Sequence, residues 1–128
     1  MRLFNIERLF RACRYSLDGL KAAFRRETAC QQEAILLLAA VPTTFLMGVT
    51  MVERILLIAS LLFVLVVELL NTAVDTLVIM VSPEYHPLAN CAKGLGGAAV
   101  FVSLILGGLV WCGILGQKLG LFQGAFGS

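Results

Sequence analysis

The sequence predicts an all-α integral membrane protein, with an N-terminal amphipathic surface helix followed by three transmembrane helices. Three observations carry that prediction. The chain is 59% hydrophobic over 128 residues, where a soluble domain is roughly 45–50% apolar. The excess is gathered into three long blocks with little or no charge. Ahead of them Arg2, Arg8, Arg11, Arg14, Lys21, Arg25 and Arg26 form a basic segment, and only Arg54, Lys93 and Lys118 of the ten basic residues lie elsewhere. The positive-inside rule places that segment in the cytoplasm. The chain is too short for a second domain, so residues 1–128 read as a single membrane domain.

The surface helix is expected within residues 1–32. From Asn5 to about Phe24, residues Ile6, Leu9, Phe10, Cys13, Leu17, Leu20 and Phe24 keep the spacing of one apolar stripe. Arg11, Arg14, Asp18, Lys21 and Arg25 occupy the other faces. Such a helix lies in the headgroup plane, its basic side chains drawn to anionic lipid. Charge continues through the first thirty residues, which is unlike a cleaved signal peptide.

The three transmembrane helices are predicted over residues 34–52, 55–81 and 94–116. The first block has about the twenty residues that cross the hydrocarbon, and Pro42 is expected to kink it. Residues 48–54 form a short external turn. The second block is long enough to span with tilt and protrude. Residues 82–90 (SPEYHPLAN) hold two prolines and read as a cytoplasmic loop. The third block contains no charge. Three spans leave the C-terminus outside, with Trp111 and Lys118 marking the outer interface and a glycine-rich, poorly ordered tail after Gly116. Gly96, Gly97, Ala98, Ala99, Ser103, Gly107 and Gly108 give the third helix a surface that neighbouring helices can approach closely.

Glu68, Asn71 and Asp75 lie inside the second span. Their offsets of i, i+3 and i+7 put them on one face. A carboxylate at bilayer depth costs roughly 2.5–3.5 kcal/mol on insertion scales. That face must meet protein, water or a partner subunit, because lipid cannot satisfy it. Three helices cannot enclose a large polar site, so a homo-oligomer is predicted. Near the same surface are Glu27, Glu33 and Lys93, the last opening the run KGLGG. Carboxylates can hold Mg²⁺ against phosphate oxygens, and a lysine can neutralise phosphate charge. A carboxylate screened from water can take a proton from a hydroxyl. The set therefore suits phosphoryl transfer, with interhelical polar contact as the alternative role for Glu68 and Asn71.

Weaker signals have plainer readings. The four cysteines, Cys13, Cys30, Cys91 and Cys112, show no metal-ligand spacing and read as reduced packing residues. His86 is expected to cap its loop, Tyr85 to anchor at the interface, and Glu53 and Glu84 to be solvated loop charges. Glu33 either ends the surface helix or touches ligand.

VELLNTAVDTLV, then SPEYHPLANCAK, then GGAAV, resembles the small prokaryotic diacylglycerol kinase family, which includes the undecaprenol kinases. RACRYSLDGLKAAFRRETACQQE is similar to that family's surface helix, so the resemblance runs nearly to Trp111. It implies a homotrimer in the bacterial cytoplasmic (inner) membrane that transfers the ATP γ-phosphate to a lipid hydroxyl at the cytoplasmic surface, with Mg²⁺. No nucleic-acid partner is expected. By the resemblance Glu68 is the general base or the residue that positions the lipid hydroxyl, Asn71 supports the site by hydrogen bonding, and Lys93 contacts the phosphates. Glu27 and Asp75 coordinate metal bridged to the nucleotide, while Arg8, Ser16 and Glu33 line or support the site. Glu33 is assigned with Glu68 to the lipid side, Arg8 and Ser16 to the nucleotide.

Three positions depart from the family pattern. Asp75 stands where a glutamate is usual, Gly94 where an aspartate follows the lysine, and Ile79 at a further acidic position. The YHPLA loop resembles the undecaprenol branch, whereas the surface helix and chain length resemble the diacylglycerol branch. Diacylglycerol is the expected substrate, with undecaprenol or a non-enzymatic membrane paralogue as alternatives. A small multidrug-type exporter is disfavoured by the odd span count and by the long surface helix. The groove for the lipid chains is expected to be lined by Leu, Val and Ile.

Overall fold

The computed structural model describes residues 5–120, so Arg2 and residues 121–128 lie outside the described residues; of the tail expected to be poorly ordered after Gly116, residues 117 and 118 are helical instead. Four helices follow one another: α1 (Ile6–Arg26), α2 (Thr28–Leu46), α3 (Met51–Val81) and α4 (Pro87–Lys118). The last three are long and apolar enough to cross a membrane, and α1 is the expected helix ahead of them. At 1.5 Å per residue, the 31 residues of α3 and 32 of α4 reach about 46–48 Å, well past a hydrocarbon core of about 30 Å. The 19 residues of α2 reach only about 28 Å. One end of the α3–α4 hairpin therefore projects beyond α2.

Helix α1 starts at Asn5, whose side chain accepts from Arg8 N at 3.2 Å, and closes with Arg25 and Arg26 beside its carbonyl end. Its flank of Ile6, Leu9, Phe10 and Leu17 is exposed along the chain. A free apolar stripe of this kind suits the headgroup plane. Glu27 forms the whole corner between α1 and α2: it is extended at φ −105° and ψ 116°, ending one helix and starting the next. Its N–H still donates to Ala23 O at 2.8 Å, and its carbonyl accepts from Gln31 N at 3.1 Å. Gln31 Nε2 turns back to donate to Phe24 O at 2.7 Å, satisfying a last-turn carbonyl.

The helices begin earlier than the apolar blocks suggest. α2 starts at Thr28, ahead of the block at Ala34, and continues through Pro42 to Leu46. α3 begins at Met51 because Thr50 and Glu53 form a capping box. Thr50 Oγ1 accepts from Glu53 N at 3.2 Å, and Glu53 Oε1 accepts from Thr50 N at 2.9 Å. Glu53 is thus a helix-start residue rather than the solvated loop charge expected. The loop between α3 and α4 also shortens, to residues 82–86, because Pro87 takes the first helical position, where its missing N–H costs nothing. His86 caps that helix as expected, its Nδ1 accepting from Leu88 N at 3.1 Å.

α3 packs against both α2 and α4, while α1 packs chiefly on α2. The fully buried side chains, Leu57, Thr44, Cys30 and Ser103, mark the seam between α2, α3 and α4. The buried hydroxyls turn inward on their own helices: Thr44 donates to Val41 O at 2.7 Å, Ser60 to Leu57 O at 2.8 Å and Ser103 to Val100 O at 2.7 Å. They fill the seam without spending interhelical hydrogen bonds. Gly48, at φ +68°, allows the chain to turn out of α2 in a conformation other residues resist. Lys118 Nζ donates to Gly48 O at 2.6 Å, and Trp111 Nε1 to Leu57 O at 3.1 Å. These bonds fasten the end of α4 to the α2–α3 turn, so both lie at the same end of the bundle.

Candidate functional site

The polar residues converge where the N-terminal end of α2 meets the middle of α3. Glu27, at the corner, makes no side-chain capping hydrogen bond, which leaves its carboxylate uncommitted. Cys30 and Glu33 follow at spacings of three on α2, so each turns toward the same side. Cys30 is fully enclosed beside Thr72 and Glu68 of α3. Glu33 is only 6% exposed, and its Oε1 accepts no hydrogen bond from the described residues. Glu68 lies within electrostatic reach of both Glu27 and Glu33. A buried carboxylate oxygen without a donor is costly unless a further group supplies one.

One turn along α3, Asn71 is half-buried, and its Oδ1 also lacks a partner among the described residues. That oxygen lies against Gly96 of α4 so closely that a Cβ there would overlap it. Asp75 follows on the same side of α3, also half-buried. Lys93 lies across the hairpin, lining a hollow of about 170 Å³ together with Glu84, Tyr85, His86 and Asn90. The chain thus gathers Glu27, Glu33, Glu68 and Asn71 about one junction, with Asp75 and Lys93 toward the projecting end of the hairpin. Arg8 and Ser16 remain exposed on α1, where Ser16 Oγ donates to Ala12 O at 2.9 Å.

A second feature opens from this junction. An apolar groove of about 380 Å³ runs between α2, α3 and α4, with Glu33 at one end and Trp111 toward the other. Leu36, Leu61, Val64 and Leu104 form walls of the expected kind. The space between them exists because Ala39, Ala40, Gly107 and Gly108 are small. A groove of this size and polarity can take a hydrocarbon chain, with one carboxylate at its end to meet a polar head.

Among the described residues no three His, Cys, Asp or Glu side chains are grouped to close around a metal ion. The donors available near the junction are carboxylates, which suit a hard cation. None of the four cysteines is in a disulfide; Cys30 is buried, whereas Cys13, Cys91 and Cys112 are exposed rather than the packing residues expected. Three residues in this region were not legible as site residues. Cys30 had a signal in its spacing of three from Glu27 and from Glu33. Thr72 follows Glu68 by four and donates to its carbonyl at 3.0 Å. Gly96 could be read only as one of several small residues, since nothing in the sequence pairs it with Asn71.

Residues 14–115 match the family described as prokaryotic diacylglycerol kinase. The diacylglycerol kinase of Haemophilus influenzae is 46% identical over 111 residues, which cover 87% of this chain and 94% of that protein. Those of Pseudomonas aeruginosa, 44% identical over 111 residues, and Escherichia coli K12, 38% identical over 113 residues, are covered to 90% and 93%, with 87% and 88% of this chain matched. The family match begins within α1, takes in α2 and α3, and runs to near the end of α4. The chain belongs to the prokaryotic diacylglycerol kinase family.

Proposed function

We propose that this chain is an ATP-dependent lipid kinase that transfers the γ-phosphoryl group of ATP to the free hydroxyl of diacylglycerol, giving phosphatidic acid. The observation that carries the reading is the placement of Glu33 and Glu68. A buried carboxylate with an unpartnered oxygen closes one end of an apolar groove, and a second carboxylate lies within its electrostatic reach. A lipid whose chain fills the groove brings its hydroxyl to that end. There the hydroxyl donates its hydrogen bond to Glu68, which takes that proton as the oxygen attacks the γ-phosphorus, while Glu33 lines the lipid end of the site. The bond from that phosphorus to the β-bridging oxygen breaks, and ADP leaves. Asn71 holds the reacting groups by hydrogen bonding. Lys93, on the projecting end of the hairpin, offsets charge on the transferred phosphoryl group.

Mg²⁺ fits this donor set, because it is usually held by one or two carboxylates together with substrate phosphates. Glu27 and Asp75 would hold it. When bound it would offset negative charge on the phosphates. Arg8 and Ser16 serve the nucleotide. Both are exposed on α1, and the chain acts as a homotrimer whose subunits share each site. The basic N-terminal segment supports a cytoplasmic site on the bacterial inner membrane.

Purified protein in mixed micelles with ATP and Mg²⁺, given diacylglycerol and undecaprenol in parallel, tests the reading. Transfer to diacylglycerol that Glu68→Gln abolishes is the expected result. Transfer to undecaprenol alone would reassign the substrate, and transfer to neither from folded protein would overturn the proposal.

A further inference from the structure

The glycines of α4 do not meet α3 alike, and the one whose Cβ would overlap an α3 side chain is Gly96, against Asn71. On α4, a Cβ built on Gly107 would stand 3.7 Å from Val64 Cγ2, an ordinary contact. A Cβ on Gly96 would overlap Asn71 Oδ1, lie 3.4 Å from its Cγ and come within 4.0 Å of its Cα. Gly97, the next residue, has nothing within 4 Å of a Cβ. Asn71 Oδ1 is buried and has no hydrogen-bond donor among the described residues, so no polar contact with them fixes it. What limits it is shape: the bare backbone of Gly96 forms the wall against which the amide rests. Glycine inside a helix is a poorer helix former than alanine. Helix formation alone would therefore favour a side chain at both positions, and only at 96 does the neighbouring helix forbid one.

We infer that Gly96 is a positioning residue: by lacking a side chain it seats the Asn71 amide beside Glu68, so that any substituent there displaces the amide from the reacting groups. The inference rests on the kinase reading of Asn71. It differs from a general packing role in one respect, which is that the damage done at 96 should depend on the amide being present.

The test is a double-mutant cycle on the full-length protein in mixed micelles, with kcat and both KM values measured. Gly96→Ala is expected to lower kcat about tenfold or more, with KM for ATP and lipid within about twofold. Gly97→Ala, which adds the same methyl group to open space, should leave turnover unchanged. In an Asn71→Ala background, adding Gly96→Ala should change the residual turnover by less than about twofold. Equal losses in both backgrounds, or no loss in either, would overturn the inference. Should Gly96→Ala fail to fold, recovery of folded protein in the Asn71→Ala/Gly96→Ala variant supports the contact, and continued misfolding counts against it. Should the wild type transfer no phosphate, the kinase reading fails separately. The side-chain amide resonance of Asn71 still reads the contact: a shift in Gly96→Ala and none in Gly97→Ala is expected, and no shift in either refutes it.

Discussion

The two ends of the membrane bundle treat their polar groups in opposite ways. At the end that carries the α2–α3 turn, the chain satisfies them itself. Thr50 and Glu53 cap α3 reciprocally, Trp111 donates to Leu57 O, Lys118 donates to Gly48 O, and the Arg54 guanidinium lies 4.4 Å from the centroid of the Phe45 ring. Arg54 Nε is the exception there. Toward the other end, Glu33 Oε1 and Asn71 Oδ1 are buried without partners, and Glu27 is left free of any cap. A fold that can close a capping box within four residues does not leave carboxylates unpaired for want of means. The first region is built for stability. The second keeps hydrogen-bonding capacity for molecules that are not part of the chain.

Substitutions in the two regions should therefore separate activity from stability. The largest effect is expected from Glu68→Gln, which should lower kcat by about 10²–10⁴-fold while leaving the unfolding midpoint in detergent unchanged. A fall in stability of matching size would erase the contrast. Glu33→Gln should act chiefly on the lipid, raising its KM roughly tenfold or more with a smaller change in kcat, because this carboxylate stands at the end of the groove. A KM change for ATP instead would move Glu33 to the nucleotide side. At the opposite end, Thr50→Ala should cost about 1 kcal/mol of stability, read from unfolding in mixed micelles, with kcat of the folded protein preserved. The smallest effect belongs to Lys118→Met. Its bond to Gly48 O lies at the surface, so a change within about 0.5 kcal/mol and unaltered turnover are expected.

Much of this division could be read from residue order, for reasons particular to each element. The α1 stripe and the three apolar blocks follow directly from helical period and charge placement. The helix starts were harder, because side chains rather than hydrophobicity set them. α3 begins at Met51 through the Thr50–Glu53 pair, a T-x-x-E signature present in the sequence but masked by its position in a short polar turn. α4 begins at Pro87 although two prolines in nine residues suggest a longer loop. In the site, Glu68, Asn71 and Asp75 announce themselves as polar groups in an apolar run. The Gly96 contact does not, since it depends on the register between α3 and α4 and no spacing within either helix encodes it. The groove is similar: Leu and Val line it, but its volume comes from Ala39, Ala40, Gly107 and Gly108 lying opposite one another.

The single extended residue between α1 and α2 gives the molecule a fulcrum. With 21 residues, α1 is an arm about 31 Å long. A 10° swing of that arm on the bilayer surface would carry its Asn5 end through about 5 Å, while the residue at the pivot would scarcely travel and would mainly rotate. The residue at the pivot is Glu27. Any lateral motion of the arm through the headgroups would thus be converted, at the point where it meets the bundle, into a change in the direction of one carboxylate.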